Sequence, residues 1–449
     1  KTEKLKYIHL LNNSVGEYKM RFINRENELK FLNECKNLSN NKLYSLCISG
    51  QRRVGKTRLI IEFLKEKELY FFVNKDKQSE SLLKEYESYL KTKKILTELE
   101  NLSNWDVFFD VLFKRYKGTI VFDEFQNFQI IDKSIFGILQ KNIDLKENEK
   151  DILIIFTGST IGLIKQIFQD KKEPLYGRLK RKLDLKPLSI YNVAKIFKEL
   201  GKKDKEELIS LYAIFGGFPR YYVAIEDEKL NKKDFNSIIE KFFLVENSLF
   251  EDEVHTILSL EFGKRRGLYY DILTAIALGN TRTSEIASYL RKKETAITRQ
   301  INELINHFQI IEVKKQAHGK KTRMIINHDL IEFWFKIFYK SLSQYKIRES
   351  TFIAKAKEDI KLHISKKFEK ICEEILINSK LIQPKFSSIG KQWGKFEGEK
   401  GKNTYEIDIL GLNENTKDIL FCECKWQDRV NALSVLNRLK EKAKYVDWP

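Results

Sequence analysis

Gly50-Gln51-Arg52-Arg53-Val54-Gly55-Lys56-Thr57 decides how the first half of this chain is read. The stretch fits G-x-x-x-x-G-K-[ST], a loop whose backbone N–H groups curl around phosphate oxygens. Its flanks agree. Leu43–Ser49 is a short apolar run with the character of a buried strand, and Arg58–Leu64 continues with helical spacing. A strand passing through such a loop into a helix turns the helix's partial positive charge toward an anion. Gly50, Gln51, Arg52, Arg53, Val54, Gly55 and Arg58 are therefore assigned to nucleotide binding. Lys56 is assigned to the β- and γ-phosphates of ATP and the Thr57 hydroxyl to Mg2+.

Two further apolar runs carry polar tips. Gly118–Phe122 is followed directly by Asp123 and Glu124. A parallel strand beside the loop puts Asp123 at its C-terminal end, where a carboxylate completes the metal's shell. Glu124 is then placed to orient and deprotonate an attacking water. Asp151–Phe156 is the third run, ending in Thr157-Gly158-Ser159-Thr160. Ser159, with Thr157 beside it, is the candidate sensor of the γ-phosphate; a cap for the helical segment after it explains the same residues. Arg178 is the candidate for stabilising charge on the transferring phosphoryl group. Acting across a subunit boundary, it requires a homo-oligomer; a solvated surface arginine is the other reading. Gly216-Gly217-Phe218-Pro219 breaks a helical stretch, and offers Pro219 either as a wall for the adenine base or as a plain helix junction.

In order and spacing these pieces resemble the archaeal-type ATPase family, a branch of the AAA+/STAND group. The resemblance is carried by Phe22–Leu29 with Arg25 and Glu26, the phosphate loop, Phe122–Gln126, Gly158-Ser159, Tyr176–Arg178 and Gly216–Pro219. It implies an α/β fold: a P-loop NTPase of the additional-strand type with a helical lid. It also implies that the segment around Arg25 and Glu26 lies close to the nucleotide.

Composition sets outer bounds. A chain of 449 residues is long for one core, so about three domains are expected. No apolar run is long enough to cross a bilayer. The five cysteines lack zinc-finger spacing, which reads as reduced thiols in a cytoplasmic protein. A net charge of +19 attracts polyanions, DNA foremost, although the general richness in lysine inflates that figure.

Beyond residue 262 the pattern changes to short helices: Tyr270–Ala277, Thr283–Leu290 and Glu294–Ile305, followed by two strand-like runs, Phe308–Val313 and Thr322–Ile326. Three helices and a hairpin read as a winged helix-turn-helix. Its third helix exposes Thr295, Thr298, Arg299 and Asn302, and its wing carries Lys314, Lys315, Lys320, Lys321 and Arg323. Helix and wing together suit a DNA backbone and groove; such modules also serve as protein contacts.

The last third holds a second constellation. Thr404–Gly411 and Asp418–Trp426 read as strands joined by a polar turn. The strand period of two puts Glu406 and Asp408 on one face, and Glu423 and Lys425 on one face opposite Cys422, Cys424 and Trp426. Asp408 and Glu423 are candidate ligands of a divalent metal at a scissile phosphate, with Lys425 steadying the attacking water or the developing charge. Charges paired on an exposed hairpin are the bland alternative. The pattern resembles the PD-(D/E)xK, restriction-endonuclease-like superfamily from about residue 360 onward. That resemblance implies a C-terminal α/β domain and a helical acid, for which Glu369 is the counterpart and Glu373 the reserve.

The expected domains are thus 1–188 for the ATPase core, 189–262 for the lid, 263–330 for the winged helix and 331–449 for the nuclease-like part. Three functions fit: an ATP-fuelled enzyme acting on DNA, a STAND-type switch that binds nucleic acid or protein without cutting, and a protein-interaction regulator.

Overall fold

The computed structural model describes residues 22–263, 266–379, 386–396 and 403–448. The outer ends of the first and last expected domains, 1–21 and 449, lie outside the described residues. Contacts group the chain into two compact units. One is formed by residues up to Pro187 with Phe218–Glu226, the other by Leu188–Gly217 with Asp227 onward. The segment expected as a lid is therefore shared between them.

The first unit is built on five parallel strands: β1 (Tyr44–Ser49), β2 (Leu69–Phe72), β3 (Gly118–Asp123), β4 (Ile152–Gly158) and β5 (Arg181–Asp184). Their order is β2-β3-β4-β1-β5. β4 thus lies between the strand that leads into the phosphate loop and the strand that ends in Asp123, which is the additional-strand arrangement. Strands buried on both faces read as continuous apolar runs, as Ile152–Phe156 does. Helices Ser79–Thr92, Trp105–Arg115 and Ser134–Leu145 cover the sheet through an aromatic core. Phe71 stacks on Phe122, and Phe122 on Phe156, so the rings run across three neighbouring strands. This core fixes the strand tips that carry the site.

The second unit is mainly helical. Helices Gly267–Ala277, Thr283–Tyr289 and Thr295–Asn302 are followed by the antiparallel hairpin β6 (Ile311–Lys315) and β7 (Thr322–Ile326), the order expected. The third helix stops three residues before the expected Ile305 and passes into a π-turn at Glu303–His307. The long helix Ser350–Asn378 then leads into an antiparallel sheet, ordered β10-β9-β8, of β8 (Ser388–Lys395), β9 (Thr404–Leu412) and β10 (Ile419–Cys422). Helix Ala432–Ala443 packs on it through Leu439. β10 ends four residues before the expected Trp426. The reason is a contact from β9: the Cys424 N–H donates to Asp408 Oδ2 at 2.8 Å instead of joining a strand ladder. No helix among the described residues is long and apolar enough to cross a membrane.

Candidate functional site

At the tip of β1 the loop Gly50–Gly55 turns into helix Lys56–Phe63. Gly50 permits this turn, because a Cβ there would stand 2.6 Å from the Leu185 carbonyl oxygen. Gly55 takes φ +98°, a left-handed conformation that suits glycine. The Lys56 ammonium folds into the loop and donates to the carbonyls of Gly50 at 2.8 Å and Gln51 at 3.1 Å. In loaded loops of this kind the lysine's usual acceptors are phosphate oxygens. Pro219 reaches the same loop: a Cβ on Gly55 would meet its Cγ at 3.9 Å. Arg25 also closes on it, donating to the Val54 carbonyl at 3.2 Å and the Lys186 carbonyl at 2.8 Å while pairing with Glu28 at 2.7 Å. The resemblance places the Arg25 segment near a nucleotide; in the structure Arg25 contacts the phosphate loop at Val54. Arg25, Arg53 and Glu124 have φ of 89°, 67° and 56°, and left-handed non-glycine residues cluster where backbone is held against its preference.

The carboxylates line up at the tip of β3. Asp123 Oδ2 accepts from the Thr57 hydroxyl at 3.0 Å and from the Tyr70 hydroxyl at 2.6 Å. Its Oδ1 accepts from the Glu124 N–H at 3.0 Å and from the Thr157 hydroxyl. Thr57 and Asp123, read from sequence as the pair around Mg2+, are therefore in contact, and a hydroxyl with a carboxylate is the hard-oxygen set such an ion takes. Glu124 Oε2 accepts from Ser159 at 2.8 Å and from the Gln126 amide. Burial works against its charge, but Lys56 and Arg52, with the bonds from Gln126 and Ser159, outweigh it and hold the carboxyl below the ordinary range. Ser159 thus touches the candidate base; the cap position of the following helix is Thr160, which makes no side-chain cap hydrogen bond.

Two residues here escaped the sequence. Tyr70 sits on β2 and reaches Asp123 across the sheet. Gln126 is 2 % exposed and fits beside Gly158, where a Cβ would lie 2.3 Å from its Oε1. A polar residue two places after Glu124 was a signal open to reading; an isolated tyrosine in an apolar strand gave none. Arg178 is placed elsewhere: it forks onto Asp144 at 3.1 and 3.0 Å. That bidentate pair gives it a structural partner within its own unit.

In the second unit, Thr295, Thr298, Arg299 and Asn302 are exposed as expected, with Arg299 paired to Glu303 at 3.0 Å. Lys315, Lys320 and Lys321 are exposed too. The rest of the hairpin differs from a free basic wing. Arg323 pairs with Glu406 at 2.6 Å and lies over the Trp393 ring at 4.4 Å. The hairpin tip hydrogen-bonds β8: Ala317 N–H to the Lys391 carbonyl at 3.0 Å, His318 N–H to Gln392 Oε1 at 2.9 Å, and the Ser388 hydroxyl to the Ala317 carbonyl at 3.0 Å. A sheet edge with unpaired backbone groups recruits such a loop, which sequence periodicity could not disclose.

The C-terminal acids do gather around β9. Asp408 is 8 % exposed. Burial pushes its carboxyl up; the Cys424 N–H and Lys391 oppose this, while the charges of Glu369 and Glu423 add to it. Glu369 pairs with Lys391 at 2.7 Å, and Lys391 also pairs with Glu406 at 2.7 Å. Glu423 is held by Lys425 at 2.7 Å and Lys442 at 2.8 Å. These lysines outweigh burial and keep Glu423 below its ordinary range. Glu373, the reserve acid, lies near Lys314 at 4.0 Å, and burial raises its carboxyl. Cys424 lies beyond the strand, and its N–H donates to Asp408 Oδ2. Among the described residues no group of three or more His, Cys, Asp or Glu side chains is arranged to hold a metal ion.

Comparisons with known proteins agree with the first unit and leave the second open. Residues 22–225 match a family described as an ATPase domain predominantly from Archaea. Residues 334–442 match one described as archaeal and bacterial proteins of unknown function. The uncharacterized protein MJECL04 of Methanocaldococcus jannaschii is 30% identical over 415 residues, or 91% of this chain and 88% of that one. The Walker-type ATPase PABY2304 of Pyrococcus abyssi superposes with a TM-score of 0.57 at 24% identity, covering 73% of this chain and all (100%) of its own. The ORC2 protein of Aeropyrum pernix, solved in ADPNP–ADP complexes, gives 0.49 at 12% identity over 78% of this chain and 98% of its own.

Proposed function

The chain belongs to the archaeal-type ATPase family, and from that premise we propose that it binds ATP with Mg2+ at the loop Gly50–Thr57 and hydrolyses it with Glu124 as the base. One observation carries the reading: the Thr57 hydroxyl donates to the Asp123 carboxylate beside the loop, and the loop's Lys56 and Arg52 charges act on the neighbouring Glu124 carboxylate. Lys56 moves from the loop carbonyls to the β- and γ-phosphates, exchanging neutral acceptors for charged ones. Thr57 and Asp123 hold the ion, which neutralises phosphate charge when bound. Glu124 orients water and takes its proton, and Ser159 ties that carboxylate to the strand that faces the γ-phosphate. Pro219 covers the loop from the adenine side. The test is titration of a fluorescent ATP analogue. Lys56→Ala should weaken binding about 10- to 100-fold, the loss of hydrogen bonds to a charged group; unchanged binding overturns the reading.

A second reading concerns the other unit, and is favoured by the burial of Asp408 among Glu369, Glu423 and Lys425. There we infer a phosphodiester site, with DNA reaching the exposed face of helix Thr295–Asn302. Asp408 and Glu423 would bind a divalent cation and Lys425 would face the scissile phosphate. Against it stand the ion pairs that already satisfy Glu369 and Glu423. An ATP-driven switch that binds nucleic acid without cutting it fits that charge balance. Plasmid incubated with Mg2+ or Mn2+ decides: cleavage that is lost in Asp408→Ala while ATP hydrolysis persists supports the nuclease, and an intact plasmid supports the switch.

A further inference from the structure

Asp123 accepts four hydrogen bonds, two on each oxygen. Three of the donors come from places where a polar group is expected: the loop threonine, the next residue's N–H and the tip of β4. The fourth comes from Tyr70, whose strand is otherwise apolar, Leu69-Tyr70-Phe71-Phe72. Its ring is 9 % exposed and its hydroxyl ends 2.6 Å from Asp123 Oδ2. That is the same oxygen that faces the Thr57 hydroxyl.

A buried phenol with a carboxylate at this distance has one role open to it. The hydroxyl has one hydrogen, and it is given to Asp123 Oδ2, so Tyr70 acts there as a neutral donor. A carboxylate fixed by a neutral donor keeps its full negative charge for a cation, whereas a lysine in the same place would compete with that cation. Phe71 and Phe122, the next residues on each strand, stack at 5.3 Å and tie β2 to β3.

We propose that Tyr70 is a positioning residue for the metal site: it aims Asp123 Oδ2 at the cation that Thr57 shares, so that Mg2+ affinity depends on its hydroxyl. This rests on the ATP–Mg2+ reading above and extends it to a residue that touches neither nucleotide nor metal. Outer partners of a ligating carboxylate change metal affinity by about 10- to 100-fold when removed.

The experiment is Tyr70→Phe, which deletes the hydroxyl and leaves the ring to pack. Binding of a fluorescent ATP analogue is followed against Mg2+ concentration, and again in EDTA. The variant should need about tenfold more Mg2+ for half-maximal binding. Its metal-free binding should equal that of the parent, and its loss of hydrolysis should shrink as Mg2+ approaches saturation. An unchanged Mg2+ midpoint overturns the proposal. So does equal weakening with and without the ion, which marks a packing defect. Thr157→Val, which removes a donor from the opposite oxygen, gives an independent measure if Tyr70→Phe melts early: a raised Mg2+ midpoint there supports the same aiming of Asp123, and no change refutes it. Failure of the parent protein to bind the analogue at any Mg2+ level would instead overturn the ATP reading, so the two failures are distinct.

Discussion

Replacing Glu124 by glutamine tests the proton-transfer step and little else. In the parent protein Oε2 of Glu124 accepts from both Ser159 and Gln126. A glutamine amide can present its oxygen to the same two donors, so the side chain stays in place and the loop contacts of Lys56 are untouched. What disappears is a proton acceptor and one negative charge. General-base catalysis contributes about 10²- to 10⁴-fold, or about 3–5 kcal/mol in the barrier at 1.36 kcal/mol per tenfold. Hydrolysis should therefore fall by at least about a hundredfold while analogue binding holds or tightens. The pH profile adds a second readout. Lys56 and Arg52 overcome burial to hold the Glu124 carboxyl below its ordinary range. The acid limb of the parent rate should then lie below about pH 4.3, the value of an unperturbed glutamate, and the glutamine variant should lack it. Phosphate release is the assay. A variant turning over at the parent rate, or a parent limb near neutrality, refutes the assignment of the base.

Two predictions concern stability in the second unit. Lys367 is buried between Asp329 at 2.7 Å and Glu332, and Asp329 also takes Lys370 at 3.0 Å; Lys367→Met leaves two acids without their main partner and should cost about 3–5 kcal/mol in denaturant unfolding. Burial opposes the charges of Asp329 and Glu332, yet Lys367 depresses both carboxyls. Their contribution is therefore complete above the unfolded values near pH 4 and lost as pH falls through the lower folded ones. Melting temperature should drop below about pH 4 in the parent, with a shallower drop in Lys367→Met; equal drops would place the acid lability elsewhere.

The nucleotide site was legible because its parts are local. The loop, the Asp123-Glu124 pair and the tip of β4 each sit at the end of an apolar run, and a parallel sheet with all runs in one direction must bring those ends together. Tyr70 and Gln126 were not legible in the same way, because their roles arise from a reach across strands or into the space left by Gly158. In the second unit the elements were readable and their engagement was not. Arg323 reads as a wing cation by position, yet it meets Glu406, 83 residues further on. The early end of β10 has the same origin, since a side-chain acceptor 16 residues back takes the N–H that alternation assigns to a ladder.

The docking of the hairpin on β8 changes what a polyanion can gain there. Glu406 acts as a tethered competitor for Arg323, and a tethered group reaches effective concentrations on the order of millimolar. An incoming phosphate must displace it, trading one anionic acceptor for another and freeing a carboxylate beside Glu369 and Asp408. Added salt loosens both pairings at once, so this arginine contributes almost nothing to the ionic-strength slope of association. For a polyanion bound at this hairpin, that slope would rest instead on exposed cations such as Lys315, Lys320 and Lys321.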